Sequence, residues 1–518
     1  MFKIHRALLS VHDKTGLQEL AAALAGHQIE MIATGGTSRF LQKHGFGVTP
    51  IASLTGFPEI LEGRVKTLHP KIFGGLLARR DEQAHLAELG AHGIGLIDLV
   101  IVNLYPFHEA VSKPETALAE ALENIDIGGV ALLRAAAKNF PGVAAVTQPR
   151  QYGELIAELK NLGGGLSMAT RKKLAASAFS YTSTYDGAIQ AYLRPEDSGS
   201  FPQTLATAYE KVQDLRYGEN PHQRAAFYRD PCGRERGFTG AQQLQGKEIS
   251  FNNFADADAA LQIVRSFAEP CCAIIKHANP CGVAIAEDLA QAYQKARAAD
   301  PVAAFGGIVG CNREVDGATA ARIAELFTEV VIAPAFSAEA MARFSGKKNL
   351  RLLQMAESIS AAPAGYEFKS ISGGVLVQER DAREDDAGLF KIVSQRAPTA
   401  EEMTALRFGW KIVRWVKSNA IVFCHADRVA GIGAGQMSRI DSVKLAITKA
   451  AAAGAPLPGT VMASDAFFPF ADSIETAAQA GATAVIQPGG AMRDAEVIAA
   501  ADRLGMAMVF TGVRHFRH

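Results

Sequence analysis

Short apolar runs alternate with amphipathic stretches through the first 200 residues, and this alternation restricts the fold more than any other feature of the chain. Residues 7–11, 29–33, 96–104 and 143–147 read as strands, and residues 17–24, 37–43 and 131–139 as helices. Such a pattern predicts a parallel sheet with helices on both faces, because parallel neighbours need a crossover and the crossover helices cover the sheet. Ligands of such sheets bind beyond the carboxyl ends of the strands. The polar loops after the strands are therefore where function should lie. A second α/β region follows, with strands expected at 271–275, 306–309, 330–332, 420–424, 428–432, 483–486 and 507–510, and helices at 289–299, 318–326 and 442–452.

At 518 residues the chain exceeds one ordinary core, and two to four domains are expected. Residues 194–203, Arg-Pro-Glu-Asp-Ser-Gly-Ser-Phe-Pro-Gln, have linker composition. The expected organisation is a domain at 1–195, a linker at 196–204 and a second region at 205–518, itself divided near 350–400. Apolar residues make up 48% and charged residues 20%, with 53 basic and 53 acidic side chains. A neutral chain of this kind has no global field for nucleic acid, so any anion site must be local. There is no signal-peptide pattern and no apolar run long enough to span a membrane. None of the six cysteines forms a CxxC pair, which suits reduced thiols in the cytoplasm and argues against a deaminase-type zinc site.

Two glycine- and hydroxyl-bearing loops follow the first two strands: Ser10-Val11-His12-Asp13-Lys14-Thr15-Gly16 and Ala33-Thr34-Gly35-Gly36-Thr37-Ser38. Glycine admits a close backbone approach, and helix N-termini offer free N–H groups, so the pair suits a phosphomonoester. Neither is a Walker sequence, so ATP is not implied. The loop Glu62-Gly63-Arg64-Val65-Lys66-Thr67-Leu68-His69-Pro70-Lys71 adds basic side chains. Asn103-Leu104-Tyr105-Pro106 closes the long strand. Asn124-Ile125-Asp126-Ile127-Gly128-Gly129 opens a helix carrying Arg134 and Lys138, and Asp126 can equally be that helix's cap.

In the second region, Lys276-His277 ends an apolar strand, and Asn279-Pro280-Cys281-Gly282 is read as stopping it. Imidazole accepts a proton near neutrality and ammonium stabilises developing negative charge. Successive strand side chains point to opposite faces, so the two can share a site only if the strand has ended there. Other polar clusters are Arg216-Tyr217 with His222, Asn253, Phe305-Gly306, Asn419, Gly433-Ala434-Gly435 with Ser438-Arg439, the aromatic run through Phe470, and Arg514 in the basic tail.

Together these motifs resemble, over essentially the whole chain, the bifunctional purine-biosynthesis family that joins phosphoribosylaminoimidazolecarboxamide formyltransferase to IMP cyclohydrolase. One departure is Ala491 in Pro488-Gly489-Gly490-Ala491-Met492-Arg493, where relatives are expected to carry Ser. The resemblance implies a methylglyoxal-synthase-like N-terminal domain and two cytidine-deaminase-like α/β subdomains without zinc. It implies that Ser10, Lys14, Gly35, Gly36, Thr37, Arg64, Thr67, Asn103 and Gly128 bind the nucleotide in the first domain. Lys66, Tyr105, Asp126 and Lys138 would surround the closing ring. Lys276 and His277 would be catalytic in formyl transfer. Arg216, Tyr217, His222, Asn253, Phe305, Gly306, Asn419, Arg439, Phe470 and Arg514 would line the nucleotide and folate sites.

The implied co-substrate is 10-formyltetrahydrofolate, with no zinc and no ATP. The implied partners are 5-aminoimidazole-4-carboxamide ribonucleotide, its formylated product, IMP and a second copy of the chain, with no nucleic acid and no membrane. Two other readings are a single-activity enzyme, such as a methylglyoxal-synthase-like lyase, and a nucleotide sensor. A sensor need keep only the phosphate-holding groups, whereas all six chemical residues are present here.

Overall fold

The computed structural model describes residues 2–111, 115–194, 201–230, 237–355, 365–382 and 387–518. They fall into two compact units, one built on residues up to Glu210, the other running over Lys211–Arg229 and onward from residue 237 to His518. Part of the expected linker, residues 196–200, lies outside the described residues, as does Cys232.

The first unit holds a five-stranded sheet. Its strands are β1 (Arg6–Val11), β2 (Glu30–Ala33), β3 (Thr49–Pro50), β4 (Leu99–Asn103) and β5 (Ala144–Val146). The order is β3-β2-β1-β4-β5, and every pairing is parallel. Alternate residues feed two cores: Ala7, Leu9 and Ile101 face one side, and Leu8, Val100 and Val102 the other. Burial on both faces explains why these strands read as continuous apolar runs. The crossover helices α1 (Leu17–Gly26), α2 (Gly35–Lys43) and α3 (Gly128–Lys138) cover the sheet. A fourth helix, α4 (Met168–Leu193), was not expected from the sequence. Its Ala175, Ala178 and Tyr185 pack into the second core.

The second unit holds two six-stranded sheets of identical topology. The first comprises β6 (Gln242–Gln245), β7 (Cys271–Lys276), β8 (Asn279–Ile285), β9 (Gly307–Cys311), β10 (Thr328–Ala333) and β11 (Arg351–Gln354). The second comprises β12 (Lys391–Ile392), β13 (Ile421–Cys424), β14 (Val429–Gly433), β15 (Val461–Ser464), β16 (Ala484–Gln487) and β17 (Ala507–Phe510). The orders are β6-β11-β10-β9-β7-β8 and β12-β17-β16-β15-β13-β14. Each sheet is mixed: its central strands are parallel, while β7 and β13 pair antiparallel with both neighbours.

This mixed pairing corrects one expectation from the sequence. Asn279-Pro280-Cys281-Gly282 does not stop the strand but begins the returning one, with Lys276 opposite Asn279. The turn is the two residues His277 and Ala278, both left-handed at φ 53° and 59°. The sequence hides it because such two-residue turns ordinarily use Asn-Gly or Asp-Gly. Helices α5 (Phe251–Arg265) and α7 (Ala400–Val413) share one core with residues of both sheets, and α6 (Leu289–Ala299) and α8 (Arg439–Ala453) complete the layers.

Candidate functional site

In the first unit, the carboxyl ends of β1, β2 and β4 bring three loops together. Asn103 is buried at the end of β4, and its carbonyl accepts the backbone N–H groups of His12 and Asp13 (2.8 Å for the latter). It braces the first loop. Lys14 folds its ammonium onto the carbonyls of Val11 and His12, and burial lowers its pKa. Thr34 donates to Ser10 Oγ at 3.1 Å, and the buried Thr37 hydroxyl exchanges hydrogen bonds with Val11 at 3.1 and 3.2 Å. Gly35 and Gly36 form the first turn of α2, whose N–H groups have no acceptor within the helix. A carboxylate oxygen of Glu59 lies 3.3 Å from where a Gly35 Cβ would stand, so an acidic group borders this cradle. Arg64 is exposed and paired with Glu123.

Beside the cradle, Lys66 Nζ lies 3.4 Å from the Tyr105 hydroxyl. Asp126 Oδ1 accepts the Gly129 N–H at 2.7 Å, so Asp126 does cap α3. Burial raises its carboxyl above the ordinary value, while that N–H and the Lys66 charge oppose the rise. Thr67 is buried against the first turn of α3, with Oγ1 2.5 Å from where a Cβ on residue 128 would stand, so a side chain there would force Thr67 to move. Lys66, Tyr105 and Asp126 thus meet in one place. Lys138 is the last residue of α3, about 15 Å along the helix from Gly128 at 1.5 Å per residue. Its expected place beside the closing ring comes from the family resemblance. Two tyrosines of α4 were missed. The Tyr185 hydroxyl accepts the Asp126 N–H at 2.8 Å and donates to Asn124 O at 2.9 Å, and burial pushes its pKa up to about 12. The Leu104 N–H donates to the Tyr181 hydroxyl at 3.2 Å. Their i,i+4 spacing was the available signal.

In the second unit, the turn between β7 and β8 resolves the geometric problem of Lys276 and His277. Lys276 is the last strand residue and His277 has left the strand, so alternation no longer forces them apart. The Lys276 ammonium donates to Gly306 O at 3.0 Å and Phe305 O at 3.3 Å. Gly306 is left-handed at φ 67°, which favours glycine, and a Cβ there would lie 3.2 Å from Lys276 Nζ and crowd it. Asp256 of α5 accepts the Ala278 N–H at 2.6 Å and also the His277 N–H, and burial raises its pKa against those bonds. The sequence reading gave Asp256 no role. Phe305 is exposed beside this turn and stands near Phe327, with ring centroids 5.4 Å apart. Asn253 is buried, with its amide donating to Glu329 at 3.0 Å.

The remaining expected residues divide. Arg216, Tyr217 and His222 lie in a turn-rich segment closed by Gly218 N–H to Gln223 O at 2.7 Å, with the Arg216 guanidinium over the Tyr217 ring. Arg439 is buried: it pairs with Asp465 and donates to Ser464 Oγ and Asn419 Oδ1, both at 2.8 Å. Asn419 in turn donates to Gln436 O at 2.9 Å. Of the aromatic run, Phe468 is core, whereas Phe467 and Phe470 are exposed, with Arg493 over the Phe470 ring. Arg514 is exposed on a tail tied down by buried His515, whose N–H donates to Asp465 O at 3.0 Å. Ala491 donates its N–H to Asp494, a bond that needs no side chain. Among the described residues, no three His, Cys, Asp or Glu side chains cluster as a metal site would require, and no helix is long and apolar enough to cross a membrane.

Comparison with known proteins bears on both sites. Residues 16–131 match the MGS-like domain family and residues 136–449 the AICARFT/IMPCHase bienzyme family. Over its full length the chain is 50% identical to the bifunctional purine biosynthesis protein PurH of Acidithiobacillus ferrooxidans, with 100% of each covered. A solved structure titled "Crystal structure of ForH" is 38% identical, covering 36% of this chain and 97% of that one at a TM-score of 0.33.

Proposed function

Because this chain belongs to the AICARFT/IMPCHase bienzyme family, we propose that its two units divide two consecutive reactions between the residues described above. The protein is bifunctional, a transferase and a hydrolase, and carries out the last two steps of IMP synthesis. A formyl group passes to 5-aminoimidazole-4-carboxamide ribonucleotide, and the product then closes to IMP. Formyltetrahydrofolate is the family's co-substrate, and in this reading it enters as the 10-formyl form. Residues 205–518 carry the transfer and residues 1–195 the ring closure. The enzyme works in the cytoplasm as a homodimer.

The observation that carries the transfer reading is the Lys276-His277 pair at one hairpin turn. The 5-amino nitrogen forms a bond to the formyl carbon. His277 takes the amine proton, because the ring and carboxamide delocalise the amine lone pair and leave it weak. The C–N10 bond then breaks and tetrahydrofolate departs. Lys276, held by two carbonyls, stabilises the oxyanion or protonates N10. Arg216, Tyr217, His222, Asn253, Phe305, Phe470 and Arg514 hold the nucleotide and folate. Asn419 and Arg439 support that site through their buried network.

In the first unit, the Ser10–Lys14 loop, the Gly35-Gly36-Thr37 turn, Arg64 and Thr67 hold the 5′-phosphate, with Asn103 and Gly128 shaping its bed. The carboxamide nitrogen attacks the formyl carbon and water leaves. An amide is a poor nucleophile, so positioning supplies much of the barrier reduction, up to ~7–11 kcal/mol. Lys66 stabilises the oxyanion, and Tyr105 and Asp126 move protons. Lys138, the fourth residue of that set, joins the proton relay.

An absorbance assay with the aminoimidazole ribonucleotide and 10-formyltetrahydrofolate, following tetrahydrofolate and IMP separately, tests this reading. Wild type should form both products. His277→Ala should form neither, yet still cyclise supplied formylated nucleotide. Release of tetrahydrofolate by His277→Ala at the wild-type rate would remove His277 from the mechanism. Unimpaired cyclisation by a folded Lys66→Ala would remove Lys66.

A further inference from the structure

The two sheets of the second unit can be superposed residue by residue on hydrogen-bond pattern alone. Both α5 and α7 begin in a capping box, at Ser250 and at Thr399. Both β7 and β13 carry a register shift near the turn, after Ile274 and after Phe423. Asn312 and Asp465 each accept the N–H at the start of β7 or β13, from Cys271 at 2.8 Å and Ala420 at 3.2 Å. From the capping boxes to the turns the offset is constant at 149 residues, 399 less 250 and 423 less 274. No insertion therefore blurs the correspondence.

Under this correspondence His425 matches Lys276, Ala426 matches His277, and Ala405 matches Asp256. One repeat has an imidazole on the turn and a carboxylate on the helix beneath it; the other has alanine at both places. The turns differ too. His277 and Ala278 are both left-handed, whereas Ala426 and Asp427 are not among the residues with positive φ. Two successive left-handed residues with Cβ atoms are costly and persist only where neighbours hold them. The neighbour here is Asp256, which accepts the N–H groups of both. The second repeat dispenses with the strained turn, the imidazole and the carboxylate together.

We propose that Asp256 is a positioning residue for formyl transfer: its carboxylate fixes the left-handed turn that presents His277 beside Lys276. It touches the backbone of the turn rather than the reacting atoms. The inference rests on the assignment of His277 as the base.

The test compares kcat and KM for formyl transfer, and nucleotide affinity by calorimetry, in the full-length enzyme. Asp256→Ala should lower kcat by about 30- to 100-fold, the scale of a slightly misplaced catalytic group, with nucleotide affinity within about twofold of wild type. Asp256→Asn keeps an acceptor oxygen and should retain most of the rate. Glycine enters the left-handed region without strain, so adding Ala278→Gly to Asp256→Ala should recover at least about fivefold. A purely structural role would not give a kcat loss that a turn glycine rescues. A kcat for Asp256→Ala within about twofold of wild type would overturn the proposal, as would a rate loss that Asp256→Asn shares and the turn glycine leaves unmoved. If Asp256→Ala loses nucleotide binding through misfolding, Asp256→Asn and the glycine double variant decide by the same criteria. His277→Ala, run in parallel, separates the two levels. If it stays active the base assignment fails; if it is inactive while Asp256→Ala is not, only the positioning role fails.

Discussion

Arg64 in the first unit and Arg439 in the second both stand where the sequence suggests an anion site, and the fold treats them oppositely. Arg64 is exposed and paired with an exposed Glu123. Arg439 is buried against the fully buried Asp465, with Ser464 and Asn419 taking further N–H groups. An exposed pair gains little and exchanges partners readily, whereas a buried guanidinium without its counter-charge is very costly. One arginine is therefore open to exchange its partner, and the other is committed to holding its strand ends together. The same contrast separates the two sites. The first is assembled from loops of several elements, each braced by a different partner. The second depends on two adjacent residues at one turn.

The largest expected consequence lies in the buried pair. Asp465→Ala should destabilise the second unit by about 3–5 kcal/mol, because Arg439 would remain buried and unpaired. Chemical denaturation followed by tryptophan fluorescence, which reports on Trp410 and Trp415 of that unit, would measure it. A loss below about 1 kcal/mol would mean that Arg439 is not committed to the core and would erase the contrast with Arg64.

Next comes Asp126, where stability and chemistry should part. Burial raises its carboxyl above the ordinary 3.8. The folded state therefore favours the protonated acid. That contribution to stability is fully present below the unfolded value and is lost as pH rises through the folded one. Asp126→Asn removes this loss and can still accept the Gly129 N–H. The variant should be as stable as wild type at neutral pH, or more so, and should show a flatter melting temperature from acid to neutral pH. Ring closure should fall by about 10²-fold, as for loss of a general acid–base group. A variant that melts lower at neutral pH would show that the carboxylate is stabilising after all.

Gly306→Ala should cost about 1–3 kcal/mol for a left-handed alanine. Because its Cβ would meet Lys276 Nζ, it should also slow formyl transfer while ring closure is unchanged. Equal loss of both activities would indicate general unfolding instead. The smallest effect belongs to Glu123→Gln. The pair is fully exposed, so the melting temperature should not move, while KM for the formylated nucleotide should fall as Arg64 is released to the phosphate. An unchanged KM would remove Arg64 from the phosphate site.

Periodicity and turn chemistry made the sheets legible. Apolar runs marked β1, β4, β7 and β13 within a few residues, because a strand buried on both faces has little choice of composition. The loops at Ser10–Lys14 and Gly35–Thr37 were legible as strand-to-helix turns because glycine and small hydroxyl residues are ordinary turn formers. Helix α4 was not seen, since its tyrosines, threonines and serines give only a faint apolar stripe.

The sequence alone determined the α/β class, the polar loops at the strand ends and the adjacency of Lys276 and His277, since local composition and covalent order suffice for these. Only the tertiary structure decided that Asn279–Ile285 turns back as a strand, that His277 is left-handed, that Asp256 holds it, and that Arg439 belongs to the core. The last two of those outcomes rest on a hydrogen bond or ion pair between separate elements, Asp256 with Ala278 and Arg439 with Asp465. No local pattern encodes which distant partner will satisfy a buried polar group.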